Sequence, residues 1–478
     1  MASLKKNYFL YLTRTIINLL FPLITFPYVC RVLGPEGQGK VTYISSIIAL
    51  FTMFSQLGIP IYGLRECSKI NDDKQKLKQF IAEISVIQLF TCGMCTIIYF
   101  AYVFFIVKTN TLLFFIYLPQ IFFNTFVYDY YFTAKEEQRF ITVRYVIVKI
   151  IEIVLLFFFV HGKNALIIYG FLINFVPVLV FLVNLAGLKD LLKERLNKLE
   201  LKKHIKPIIV IFLATVAVSL YCNLDNVMLG SMINDEAVGY YGTANKIVRI
   251  IINVATATSA VLYPRLQKSL KVHDWNNYGK YSRDYICYTL IFSIPATIGL
   301  ALLANGIIYI TAGAEFAPSA FSMQLLCPIL VIVPMANFFG GMILMVNDKE
   351  SYYTISVTIA AVVNLISNYY FIPKFAQNGA IIGTIIAESV GLCLEIIFSR
   401  KYLKGIYDCL KNIWSYIFAA IIMWCVVFFF LKISELTLLV ETLLACFIGI
   451  ISYSLILFIL REDYFIYCLG FIKAKVHK

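Results

Sequence analysis

Residues 8–29 read YFLYLTRTIINLLFPLITFPYV, residues 30–40 CRVLGPEGQGK and residues 41–62 VTYISSIIALFTMFSQLGIPIY. Two apolar runs, each long enough to cross about 30 Å of hydrocarbon, flank a short glycine-rich connection. The first follows Lys5 and Lys6, as a signal peptide would. It outlasts the usual ~7–15 apolar residues and lacks a small-residue cleavage site, so it reads as an uncleaved first span. The connection GPEGQGKV, residues 34–41, matches a phosphate loop at every position but the last, where Val41 replaces the hydroxyl that would hold magnesium. Such a loop works only between a buried strand and a helix N-terminus, so between two spans the segment reads as a tight glycine turn.

The pattern continues near 80–107, 111–133, 140–160, 165–187 and 207–231. It resumes near 240–263, 285–310, 317–346, 353–372, 378–399, 412–431 and 437–460, about 14 transmembrane helices in all. Of 478 residues, 60% are hydrophobic and 14% charged, against about 45–50% and 25% in soluble domains. The fold class is an all-α polytopic membrane protein. The 41 Lys and Arg against 27 Asp and Glu give a net charge of +14. These cations sit in short punctuations between apolar runs rather than on one polar face, which argues for membrane headgroups and against nucleic acid. With the N-terminus inside, they favour the inner loops by roughly five to one, placing both termini in the cytoplasm. Most cysteines lie inside apolar runs, and Cys92 and Cys95 read as helix packing rather than a redox pair. His161, His204, His273 and His477 are scattered, so neither a metal site nor a cofactor is expected.

The basic loop 188–206 separates the first six spans from the rest. Val32-Leu33-Gly34 with Gly39 and Tyr43 finds an echo in Met228-Leu229-Gly230 with Gly239 and Tyr240. The expected organisation is an N-terminal lobe over 1–187, a cytoplasmic linker over 188–206, a second lobe over 207–400, and two further helices with a tail over 401–478. Every connection is shorter than a domain, which weighs against a membrane-embedded glycosyltransferase or ligase.

Charges inside spans cost about 2.5–3.5 kcal/mol each on insertion scales and face protein or a wet cavity. On the first span Asn7, Arg14, Asn18 and Thr25 share one stripe, loosened by Pro22 and Pro27. On the eighth, Asn245, Lys246, Arg249, Asn253 and Thr256 share another. The seventh contributes Asn223, Asp225 and Asn226; the fifth contributes Lys149 and Glu152, spaced to pair on their own helix. One reading has these charges neutralise each other, with Asp225 serving Lys246 or Arg249. The other has Arg14, Lys246 and Arg249 bind an anion in a cavity, with Asn18, Asp225 and Asn253 beside them. Asp225, Glu388 and Glu395 are candidates for ion coupling.

Phe26-Pro27-Tyr28, Arg31-Val32-Leu33-Gly34-Pro35-Glu36-Gly37, Leu224-Asp225, Met228-Leu229-Gly230 and Val238-Gly239-Tyr240-Tyr241 with Ala244 and Lys246 together resemble the bacterial Wzx-type O-antigen and polysaccharide flippases. Those belong to the multidrug/oligosaccharidyl-lipid/polysaccharide exporter superfamily. The resemblance implies two six-helix lobes in a V-shaped, MATE-like arrangement around a lumen, plus two C-terminal helices. It further implies transport without catalysis: transfer of undecaprenyl-pyrophosphate-linked oligosaccharide to the outer leaflet of the bacterial cytoplasmic (inner) membrane for lipopolysaccharide O-antigen, capsule or exopolysaccharide. Expected partners are that lipid-linked oligosaccharide, membrane lipids, and the polysaccharide polymerase and chain-length machinery. A peptidoglycan-precursor (lipid II) flippase and a cation-coupled multidrug exporter are the rival readings. The latter typically needs an acid on its first helix, where this chain has Arg14.

Overall fold

The computed structural model describes residues 4–162, 164–193, 195–403 and 409–467, which are almost wholly helical, with no strand among the described residues. The chain forms two compact units, Met1–Gly230 and Ser231–Lys478.

The first unit contains α1 (Leu4–Gln56), α2 (Ile59–Lys69), α3 (Lys74–Phe105), α4 (Thr111–Tyr117), α5 (Pro119–Thr125), α6 (Asp129–Ala134), α7 (Gln138–Phe159), α8 (Ala165–Gly187), α9 (Lys189–Leu192) and most of α10 (Lys202–Met232). α1 carries both opening spans, joined by an elbow at Gly34 with φ 65° and ψ 179°. Glycine enters that left-handed region without a Cβ clash, and Pro35, with its φ fixed for a helix start, resumes the helix. One turn on, Lys40 pairs with Glu36 at 2.6 Å. The 34–41 segment is therefore a helix elbow whose lysine is already engaged.

Asp73 starts α3 by accepting a hydrogen bond from the Lys76 backbone N–H at 3.0 Å. Ile44, Ile59, Leu77, Ile84 and Tyr117 are buried in one core with Tyr99, whose hydroxyl donates to the Phe114 carbonyl at 2.9 Å. The expected single span 111–133 is broken into three short helices: Pro119 opens the second, and the backbone leaves the helix again at 126–128, with Tyr128 at φ 55°. α10 packs within this unit, Asn226 Nδ2 donating to Ser46 Oγ at 3.0 Å.

The second unit runs through α11 (Asp235–Thr256), α12 (Ser259–Lys271), α13 (Trp275–Leu302), α14 (Ala304–Thr311), α15 (Pro318–Leu326) and α16 (Ile329–Ala336). It continues through a π-helical segment (Asn337–Leu344) to α17 (Glu350–Phe375), α18 (Gln377–Ser399), α19 (Cys409–Ile433) and α20 (Leu438–Ile459). Asn234 caps α11 by accepting from the Ala237 N–H at 2.8 Å, and Asp235 and Glu236 complement its positive end. The expected span 317–346 is bent by 42° at 327–328. Pro328 lacks the N–H that would carry a straight helix through. α17 and α18 touch at Gly379 and Gly383, where a Cβ would overlap the Phe371 carbonyl and the Asn368 side chain, the close approach that a GxxxG spacing permits.

Among the described residues, ten helical stretches are long and apolar enough to cross a membrane, and the bent pair makes an eleventh. α7 and α10, which carry the expected spans 140–160 and 207–231, lie outside that set; α7 holds Arg139, Arg144, Lys149 and Glu152. Each expected span falls mainly on helical chain, with breaks inside 41–62, 111–133, 240–263, 285–310 and 317–346.

Candidate functional site

Three polar clusters lie within the helices. In the first, α1 meets α7. The Arg14 guanidinium lies 5.6 Å from the centre of the Tyr145 ring, and the Tyr145 hydroxyl donates to Asn18 Oδ1. One turn further along α7, Lys149 pairs with Glu152 at 2.7 Å, as the i,i+3 spacing requires, while its ammonium sits 4.0 Å from the centre of the Phe21 ring. Arg14 and Lys149 thus line a short aromatic-walled face, with Glu152 paired to Lys149.

The second cluster lies on α11 and α18. Arg249, partly exposed, pairs with Glu388 at 3.5 Å, while Lys246 and Asn253 are exposed on the same helix. Seven residues along α18, Glu395 is only 3% exposed, and its Oε2 has no hydrogen-bond partner. It packs against Gly340 of the π-helical segment, where a Cβ would strike its carboxylate. Asp225 is buried on α10 in the other unit. The structure thus groups Arg14 with Asn18 and Lys149, and Arg249 with Glu388.

The third cluster is one that sequence reasoning missed. Where the chain leaves the helix at 126–128, carbonyls lose their helical donors, and distant amides replace them. Gln56 Nε2 donates to the Asn124 carbonyl at 2.8 Å, Gln88 Nε2 to that of Thr125 at 2.9 Å, and Asn184 Nδ2 to that of Val127. Arg144, its side chain only 4% exposed, holds Asp129 at 2.7 and 3.0 Å and also donates to Asn184 Oδ1. Irregular backbone at membrane depth persists only where protein or a water-filled cavity satisfies it, and here side chains do so.

A separate lock ties the first turn of α10 and the residues just before it to α3. Glu83 Oε2 lies 2.8 Å from His204 Nε2, and His204 Nδ1 lies 2.8 Å from the Tyr62 hydroxyl. Glu83 Oε1 accepts from Gln79 at 2.8 Å and from the Glu200 backbone N–H at 2.9 Å; Lys203 stands 3.1 Å from Oε2. Burial works against the Lys203 ammonium, yet its bonds to Glu83 and Glu200 raise its pKa above the ordinary value. Glu83→Leu removes all of these acceptors at once, and charged hydrogen bonds are worth about 1.5–3 kcal/mol each. Segment 195–203 is expected to detach, read as faster tryptic cleavage at Lys198 and Lys202 with the remaining helices intact. Unchanged cleavage would refute the lock. Glu83 and Arg144 each lie within about one turn of an expected span end, where their charge is easily taken for that of a loop; the signal that could have found them is that any charge inside a span is suspect.

These features define a multi-pass α-helical membrane protein with buried charges and a broken helix, the architecture of transporters of MATE-like fold. The chain belongs to the family described as "Polysaccharide biosynthesis protein", whose model matches residues 4–270. It is 21% identical, over 80% of its length and 94% of the other protein, to an Escherichia coli (strain K12) protein named for O-antigen transport. Its fold matches the lipid II flippase MurJ in an inward closed conformation with a TM-score of 0.77 at 17% identity, covering 95% of this chain and 99% of that one. An inward-facing multidrug resistance MATE transporter matches with a TM-score of 0.63 at 15% identity, covering 81% of this chain and 95% of that one. The family is one of polysaccharide biosynthesis, and these relatives are named as transporters and flippases rather than enzymes; the chain is a membrane transporter of that family.

Proposed function

We propose that the protein carries undecaprenyl-pyrophosphate-linked oligosaccharide repeat units from the inner to the outer leaflet of the bacterial cytoplasmic membrane, with both termini cytoplasmic. In this reading residues 1–187 and 207–400 act as the two lobes, 188–206 as the linker and 401–478 as an appendage. The observation that carries it is the presence of partly buried cations, Arg14 and Arg249, on membrane-spanning helices of a polysaccharide-family chain. The polyprenyl tail stays in lipid throughout, but an isolated anion costs tens of kcal/mol to bury in hydrocarbon. Arg14, Lys246 and Arg249 receive the pyrophosphate, arginine being suited to bidentate phosphate contact. Asn18 and Asn253 contact sugars or water, and Asp225, Glu388 and Glu395 are the acids available for ion coupling. Outward movement of two negative charges gains about 2.3 kcal/mol per charge per 100 mV of inside-negative potential. The polymerase and chain-length machinery then consume the delivered unit.

Deletion in the native host, followed by analysis of lipid-linked intermediates, tests this. Complete repeat units on the inner leaflet are expected, cleared by re-expression of the chain. Truncated sugars would overturn the reading in favour of an enzyme, and rescue of peptidoglycan-precursor export would reassign the substrate.

A further inference from the structure

We infer that the first unit contains a site for the uncharged saccharide part of the cargo, separate from the cations that would take its phosphate. The inference rests on the flippase reading above. Against the broken helix 126–128 lies a cavity of about 650 Å³, bounded by α1, α2, α3, α5, α6 and α10, within the ~300–1,000 Å³ span of small-molecule sites.

Its wall has an unusual chemistry. Thr52, Gln88, Gln120 and Tyr130 line it, each more than nine-tenths buried. Each keeps one polar atom without a hydrogen bond: Thr52 Oγ1, Gln88 Oε1, Gln120 Nε2 and the Tyr130 hydroxyl. Natural proteins rarely leave several such atoms beside one cavity, because each costs about 1–3 kcal/mol. The set offers an acceptor amide oxygen, a donor amide nitrogen and two hydroxyls that do either. That complement suits a ligand whose own hydroxyls both donate and accept.

Charge narrows the ligand further. Among the described residues, no Lys, Arg or His lines the cavity, and the one carboxylate there, Asp129, is held by Arg144 and Asn184. A phosphate would meet no cation there, and an organic cation would meet an acid already paired. Ile48, Met53 and Ile61 supply apolar surface for the C–H faces of a sugar ring. A neutral, hydroxyl-rich group is what remains. The helix break itself fits, since unwound backbone in transporters marks binding sites.

The test uses full-length protein in nanodiscs and three probes: the host's lipid-linked oligosaccharide, the phosphate-free oligosaccharide released from it by mild acid, and undecaprenyl pyrophosphate. The triple variant Thr52→Val, Gln120→Met and Tyr130→Phe keeps shape while deleting three of the unpartnered atoms. Its affinity for the released oligosaccharide is expected to fall at least tenfold, with undecaprenyl pyrophosphate bound within twofold of the parent. Its melting temperature is expected to be equal or higher, because nothing bonded is lost. Unchanged affinity for the released oligosaccharide, with undecaprenyl pyrophosphate still bound, would overturn the saccharide site and leave the flippase reading standing. Failure of the parent protein to bind any of the three would overturn both. If the triple variant does not fold, Thr52→Val with Tyr130→Phe carries the same comparison with a threefold threshold.

Discussion

Charge reversal at Arg14 or Arg249 is expected to abolish glycan export while the protein inserts and accumulates normally. Arg14→Glu places a carboxylate where the guanidinium faces Tyr145, beside the existing Lys149–Glu152 pair. Arg249→Glu sets an acid against Glu388, its partner at 3.5 Å. At about 4 Å and an effective dielectric near 20, one unit-charge contact is worth about 4 kcal/mol. Turning attraction for a diphosphate into repulsion therefore removes several orders of magnitude of affinity. Arg14→Lys retains a point charge but not the planar fork, and is expected to keep partial export. The check is the ratio of inner-leaflet repeat units to surface polysaccharide in a deletion strain expressing each variant. Parental ratios for both reversals would refute a role for these cations in transport.

The second large effect concerns stability and is asymmetric. Asp129→Leu leaves Arg144, 4% exposed, as a buried unpaired cation, a loss on the order of 3–5 kcal/mol. Arg144→Leu strands Asp129, which lines the cavity and whose side chain is a third exposed and so retains solvation; the loss is expected to be smaller. Combining Asp129→Leu with Arg144→Met removes both charges and recovers most of the stability, because the pair itself contributes little beyond its own desolvation. Thermal unfolding of the purified proteins checks the order: Asp129→Leu lowest, Arg144→Leu next, the double variant nearest the parent. Equal losses in the two single variants would show that the guanidinium is better solvated than its burial indicates.

The spans were legible because hydrocarbon imposes a length and polarity on each crossing, which a linear reading measures directly. Lys149 and Glu152 were legible for the same local reason, lying one helical turn apart. The break at 126–128 was not. Its run contains one proline and no glycine, and the amides that stabilise it lie 68, 37 and 57 residues away in sequence. The Glu83 lock likewise depends on His204, 121 residues distant. The single span expected at 317–346 bends at 327–328, where Pro328 removes a backbone N–H, and the direction of that bend emerges only from packing. For the cations, sequence placed Arg14 and Asn18 on one stripe but could not supply Tyr145, whose ring and hydroxyl meet them from α7.

The most direct test of transport is made with purified protein in sealed vesicles bearing lipid-linked oligosaccharide labelled on its glycan. An inside-negative potential is imposed, and a membrane-impermeant lectin scores the label on the outer face. Label should reach that face at a rate that rises with the potential and falls to the protein-free background with Arg14→Glu. Appearance of label at the same rate in protein-free vesicles, or chemical alteration of the glycan without its movement, would contradict the account.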